Sequence, residues 1–218
     1  MKRDTELQQN VMAELKWEPS IKAAQIGVAV TDGVVTLTGT VDTFAQKYAA
    51  ERAAERVSGV RAIAEDLHVM TPGEYNKTDP EIARAAANAL LWDVEVPQNG
   101  IKVVVRNGWV TLEGAVSWYY EKASAERAVR YLTGVKGVIN LIDVRPAGPQ
   151  ASDVKAKIEA ALKRNAELDA RRIQVEADGG IVTLRGEVRS FIEREDAERA
   201  AWAAPGVRIV KDELKLAL

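Results

Sequence analysis

His68 is the single histidine of the chain, and there is no cysteine. Imidazole and thiolate hold most transition-metal ions, so any metal shell here would be mostly carboxylate and would suit Mg²⁺ or Ca²⁺. No EF-hand spacing of acids occurs. His68 aligns with Asp143 and Lys215 of two related segments described below. A position filled by His, Asp and Lys is expected to face solvent. The stretch Gly33-Val34-Val35-Thr36-Leu37-Thr38-Gly39 has the glycines of a phosphate loop. Strand-forming residues fill it, however, and no Lys-Ser/Thr follows. No Gly-x-Ser-x-Gly nucleophile elbow is present. The sequence reads as non-enzymatic, with no cofactor and no metal expected.

Binding chemistry remains. Trp118, Tyr119 and Tyr120 are consecutive, and with Trp92, Trp109 and Tyr131 they place half of the chain's five Trp, five Tyr and two Phe in its middle third. Tyr119 aligns with Phe44 and Phe191, and Trp109 with Val34 and Ile181, so both are expected in a core. Trp118 and Tyr120 lack that role. Exposed Trp and Tyr favour contact with proteins and lipid headgroups, which makes these two candidate partner-binding residues. Lys155, Lys157, Lys163 and Arg164 make a second candidate, a basic helix face that could meet phosphate headgroups. Asp153 and Glu159 dilute it.

The elements that position these residues are repeated. Gly33–Gly39 recurs as Gly108-Trp109-Val110-Thr111-Leu112-Glu113-Gly114 and as Gly180-Ile181-Val182-Thr183-Leu184-Arg185-Gly186. A Gly-Val pair follows each at the same distance: Gly59-Val60, Gly134-Val135 and Gly206-Val207. Leu15, Leu90 and Leu162 precede each at the same distance. Such agreement without a gap sets three domains, 4–70, 79–145 and 151–218, joined by linkers 71–78 and 146–150.

Each copy opens on a helical stripe: Leu7, Val11, Leu15; Ile82, Ala86, Leu90; Val154, Ile158, Leu162. Asp4, Asp79 and Ser152 stand near the expected N-caps. Two alternating strands follow, joined by Asp32-Gly33, Asn107-Gly108 or Gly179-Gly180, which are two-residue hairpin signals. A second, Ala-rich helix comes next. Thr43 with Gln46 and Ser190 with Glu193 form capping boxes, and Ser117 is the expected cap in the middle copy. Each second helix carries a Glu-Arg pair, Glu51-Arg52, Glu126-Arg127 or Glu198-Arg199, read as scaffold. A third alternating strand ends the copy, reached by a right-handed parallel crossover. Glu65, Asn140 and Asp212 fall on its apolar face and need a backbone or Arg partner. Gly33, Gly39, Gly59, Gly108, Gly114, Gly134, Gly180, Gly186 and Gly206 are structural positions. The fold class is α+β: each module runs helix-strand-strand-helix-strand, with two helices on one face of a three-stranded mixed sheet.

The Gly-x-Val-Thr-Leu-x-Gly-x-Val stretch, the Ala-rich second helix and the closing Gly-Val strand together resemble the BON domain, named for bacterial osmotic-stress and nodulation proteins. The resemblance covers nearly the whole chain, three times. It implies a stress-related binding protein that contacts phospholipid membrane surfaces or envelope-associated partners.

Composition bounds the rest. The 218 residues are 47% hydrophobic and 28% charged, enough for real cores. Lys+Arg is 30 against Asp+Glu 32, and no copy is a basic module, so nucleic acid is not an expected partner. No apolar run reads as a signal peptide or a transmembrane segment. As written the chain reads as cytoplasmic, and as periplasmic if a leader has been removed. A monomer is expected. The competing reading is a cytoplasmic sensor or scaffold that binds a protein or small ion without lipid affinity.

Overall fold

The computed structural model describes residues 4–73, 76–147, 153–165 and 171–217. Each copy starts with the striped helix: α1 Asp4–Trp17, α3 Asp79–Trp92 and α5 Val154–Arg164. The residues at four-residue spacing are the ones buried. In the middle copy Asp79 is not the cap. Thr78 is the N-cap of α3, and the Glu81 carboxylate accepts its N–H and its hydroxyl, each at 2.8 Å. Asp79, one residue inside, accepts the N–H groups of Asn107 at 2.8 Å and Gly108 at 2.9 Å. Asp4 does the same to Asp32 at 2.9 Å and Gly33 at 3.2 Å. These carboxylates therefore fasten the first helix to the hairpin turn. Ser152 and part of both linkers lie outside the described residues.

The hairpins are β1 Ile26–Thr31 with β2 Val34–Val41, β4 Ile101–Arg106 with β5 Trp109–Val116, and β7 Ile173–Asp178 with β8 Ile181–Val188. Both turn residues have positive φ in every copy, as a type I′ turn requires. The last strands, β3 Ala62–Val69, β6 Gly137–Val144 and β9 Ile209–Leu216, pair parallel to the middle strand. Each sheet has the order in which its strands occur along the chain, one antiparallel and one parallel pairing. Gly39, Gly114 and Gly186 hold φ of 126°, 144° and 128°. A Cβ at any of them would overlap the carbonyl oxygen of Gln25, Gly100 or Arg172.

The second helices are α2 Phe44–Glu55, α4 Tyr119–Arg130 and α6 Phe191–Trp202. Thr43 and Ser190 cap as expected, each accepting the N–H three residues on at 3.2 Å. In the middle copy Trp118 itself takes the N-cap position, and Ser117 does not cap. Glu121 instead accepts the N–H groups of Ser117 at 2.8 Å and Trp118 at 2.9 Å. The polar strand residues find the partners they need. Glu65 accepts the Leu67 N–H and pairs with Lys47 at 2.8 Å. Asn140 accepts the Ile142 N–H and donates to the Lys122 carbonyl at 3.0 Å. Asp212 accepts the Leu214 N–H and pairs with Arg194. Each thus ties its strand to the base of its second helix.

Three cores result, one per copy. The aromatic at the start of each second helix leaves its own core. Phe44 of the first copy packs on the core of the second. Tyr119 of the second stacks on Trp202 of the third, with centroids 4.6 Å apart and planes 12° off parallel. Phe191 of the third packs on the core of the first. Tyr119, expected in a core, is instead half-buried at the junction with the third copy. Head-to-tail docking of each second helix on the next copy, with the third returning to the first, closes the chain into a ring.

Candidate functional site

Ring closure brings the second helices together, and their charged residues meet there. Arg52 pairs with Glu55 of its own helix at 2.9 Å and with Glu195 of the third copy. Arg130 lies over the Tyr48 ring, 3.6 Å from its centroid, and pairs with Glu126. Burial pushes the Glu51 and Glu55 carboxyls up, with neighbouring carboxylates adding to it. Glu198 is pushed up to about 7, first by burial and then by its hydrogen bond to Asp212 and the charge there. The Glu-Arg pairs read as scaffold thus include the junction charges.

Trp118 and Tyr120 stand at the mouth of the junction between the second and third copies. With Tyr119, Arg199, Trp202 and Ala203 they line an open cleft of about 520 Å³. Both are exposed, and the cleft adjoins a space of about 620 Å³ lined from all three copies, by Tyr48, Glu126 and Glu195 among others. The corresponding crevice at the junction of the first and second copies, lined by Thr43, Phe44 and Tyr131, is about 140 Å³. Trp202 explains the difference. Glu55 and Arg130 stand at that position in the other copies. The indole occupies the seat, and Tyr119 rests on it. Trp109, expected in a core, is instead 44% exposed, its ring laid across Gly137. His68 is exposed and 3.8 Å from Asp66.

The BON domain pattern matches residues 3–71, 78–146 and 150–217. The chain belongs to the BON domain family. Osmotically-inducible protein Y of Escherichia coli K12 is 32% identical over 141 residues, covering 63% of this chain and 70% of that protein. A 21 kDa hemolysin of Actinobacillus pleuropneumoniae is 31% identical over 144 residues, 64% of this chain and 73% of that one. A solved structure of CdsD, a structural protein of the Type III secretion system of Chlamydia trachomatis, aligns over 96% of this chain and 91% of its own. Its identity is 16% and its TM-score 0.26, so the likeness carries no argument.

The third BON copy presents Lys155, Lys157, Lys163 and Arg164 exposed along α5, apart from the aromatic cleft. Lys155 lies 3.7 Å from Glu159, which offsets part of its charge. The structure adds two residues that sequence reasoning did not single out as contact residues. Trp17 and Trp92 are the last residues of α1 and α3, and each is 83% exposed. Arg164 is the last residue of α5. The signal was present in the repeat alignment, where Trp17, Trp92 and Arg164 share one position. Because the copies pack cyclically, the three helix ends recur at matching places around the ring. No helix of the described residues is long and apolar enough to cross a membrane. Among them no group of three or more His, Cys, Asp and Glu could hold a metal ion.

Proposed function

We propose that this protein is a non-enzymatic, stress-related binding protein whose three BON copies act as one body that contacts phospholipid membrane surfaces. The observation that carries the reading is the set of matching helix ends, Trp17, Trp92 and Lys163-Arg164. Trp is the side chain of the membrane–water interface, apolar in body with one polar N–H, and Lys and Arg meet headgroup phosphates. Three weak contacts on one rigid ring add through effective concentration. A relative named as osmotically inducible and another named as a hemolysin are in keeping with stress and with membrane contact. Trp118 and Tyr120 form a second contact site on this reading, open to an envelope-associated partner.

The test is co-sedimentation of the full chain with vesicles of phosphatidylethanolamine alone or with phosphatidylglycerol, at low and physiological salt. Binding that requires the anionic lipid and weakens with salt supports the reading. Trp17→Ala with Trp92→Ala should then cut binding about tenfold, the loss of roughly 1.4 kcal/mol of interfacial contact. Absence of binding to every vesicle would refute it and leave a scaffold that binds protein.

A further inference from the structure

The three junctions are built from the same helix positions, so each can be compared with its sisters residue by residue. Where the third copy docks on the first, Glu195 of α6 pairs with Arg52 of α2. Where the first docks on the second, the matching residues are Tyr48 and Arg127. There Arg127 pairs with Glu95 at 2.6 Å, and Arg130 covers the Tyr48 ring. Where the second docks on the third, the matching residues are Ala123 and Arg199. Ala123 is exposed and carries no acceptor, so Arg199 borders this junction without the carboxylate that meets Arg52. Arg199 pairs with Asp196 on its own helix, and its side chain is still 70% exposed. A guanidinium has five N–H donors, so that pair leaves others to be used. The same junction carries the aromatic residues: Trp118 replaces Thr43 and Ser190, and Tyr120 replaces Ala45 and Ile192.

We infer that the cleft between the second and third copies binds a small aromatic anion. Its flat ring lies against Trp118, Tyr120 and Trp202, and its acidic group meets Arg199, in the role that Glu195 plays toward Arg52. The cleft of about 520 Å³ falls in the range of small-molecule sites, roughly 300–1,000 Å³. Its lining is aromatic apart from Arg199 and Ala203, so a flat ring has the most surface to gain. Tyr119 and Trp202 are already stacked on each other and form a fixed wall. Arg199 is the charged side chain of that lining, which favours an acid and disfavours a cation. The carboxylates of the adjoining space do not reverse this. Glu126 is held by Arg130, Glu195 by Arg52, and Glu198 bonds Asp212. The inference gives a ligand class to the Trp118–Tyr120 site and is independent of lipid contact at the helix ends.

The probe is naphthoate, with naphthylmethanol and naphthylmethylamine as its neutral and cationic counterparts, each titrated into the full chain. The indole N–H signals of the five Trp in a heteronuclear NMR spectrum report the site. Naphthoate should shift Trp118 and Trp202, assigned through Trp118→Phe and Trp202→Phe, and leave Trp17, Trp92 and Trp109 in place. Its Kd should be about 0.1–1 mM, the ordinary range for a ligand of that size. The alcohol and the amine should bind at least about tenfold more weakly. Arg199→Gln should bring naphthoate down to the level of the alcohol. Ala123→Glu supplies the carboxylate of the sister junction, and should keep the thermal melt while weakening naphthoate at least about tenfold. Should that variant fail to fold, Arg199→Gln serves with the same readout. Trp118 and Trp202 signals unmoved by about 10 mM naphthoate would overturn the inference. Equal binding of the three probes would do so too, as would an unchanged naphthoate affinity in Arg199→Gln. Vesicle binding of the wild type is a separate readout, so failure of the lipid contact and failure of this site are told apart.

Discussion

Replacing Phe191 by Ala should open the ring, because Phe191 seals the one junction that no linker spans. A Phe buries roughly 150–250 Å² when fully enclosed, and Phe191 is half-buried against the first core. Taking about 100 Å² of that as junction area, at about 25 cal/mol per Å², gives about 2.5 kcal/mol. The Arg52–Glu195 pair beside it is partly exposed and adds about 0–1 kcal/mol. A loss of about 2.5 kcal/mol lowers the closed-to-open ratio about 70-fold. Small-angle scattering reads the result. A closed body of 218 residues has a radius of gyration of about 17 Å. Three units strung end to end, each of about 11 Å, would give about 25 Å. Phe191→Ala should move toward the larger value and split the thermal transition. Phe191→Leu keeps most of the apolar area and should do neither. A radius and melt unchanged in Phe191→Ala would show that ring closure does not depend on this contact.

Two further outcomes follow from the same geometry. Gly114→Ala should destabilise by about 3 kcal/mol or more, because its Cβ would overlap the Gly100 carbonyl at a φ that L-residues avoid; Gly73→Ala, with nothing near its added Cβ, should change a urea midpoint little. Glu198 is raised from 4.5 to about 7, so between those values the folded state binds more protons than the unfolded state, and stability falls as pH rises through that window. The lowered Asp212 acts oppositely, and its contribution is lost as pH falls below about 3.8. Glu198→Gln should flatten the slope between about 4.5 and 7 in denaturation midpoints, leaving only the residue from Glu51 and Glu55; an unchanged slope would remove Glu198 from the account.

The fold within each copy was legible because it rests on short-range rules. The spacing of Leu7, Val11 and Leu15 gave the helix face, and Asp32-Gly33 gave the hairpin. The Thr43 and Ser190 boxes gave the start of the second helix. Where reading failed, a local rule met a competitor it could not see. Asp79 is a good cap, but two turn N–H groups bring it a better use across the copy. Trp118 has no capping oxygen, yet Glu121 supplies the acceptor from the other direction. The aromatic cleft was half legible: Trp118 and Tyr120 stood out, but the stacking of Tyr119 on Trp202 is a contact between copies that no local rule reports. Trp17 and Trp92 were in register and went unused, because exposure is a tertiary property.

The three copies share a core pattern and differ in what they show outward, and that division says where to look for function. Positions such as Val35, Val110 and Val182 are fully buried in every copy and read only as packing. Positions free of the core are the ones at which copies can diverge without loss of fold. Trp17, Trp92 and Arg164 diverge only at the third copy, from aromatic to cationic, and keep to side chains suited to a headgroup layer. Ala123 diverges from Tyr48 and Glu195 toward a side chain with no acceptor, a change that nothing in the copy's own packing requires. A helix end that stays amphipathic across copies and a junction that leaves its arginine open call for different occupants. The ring makes this separable, since it fixes both on one body and lets each be removed without touching the other.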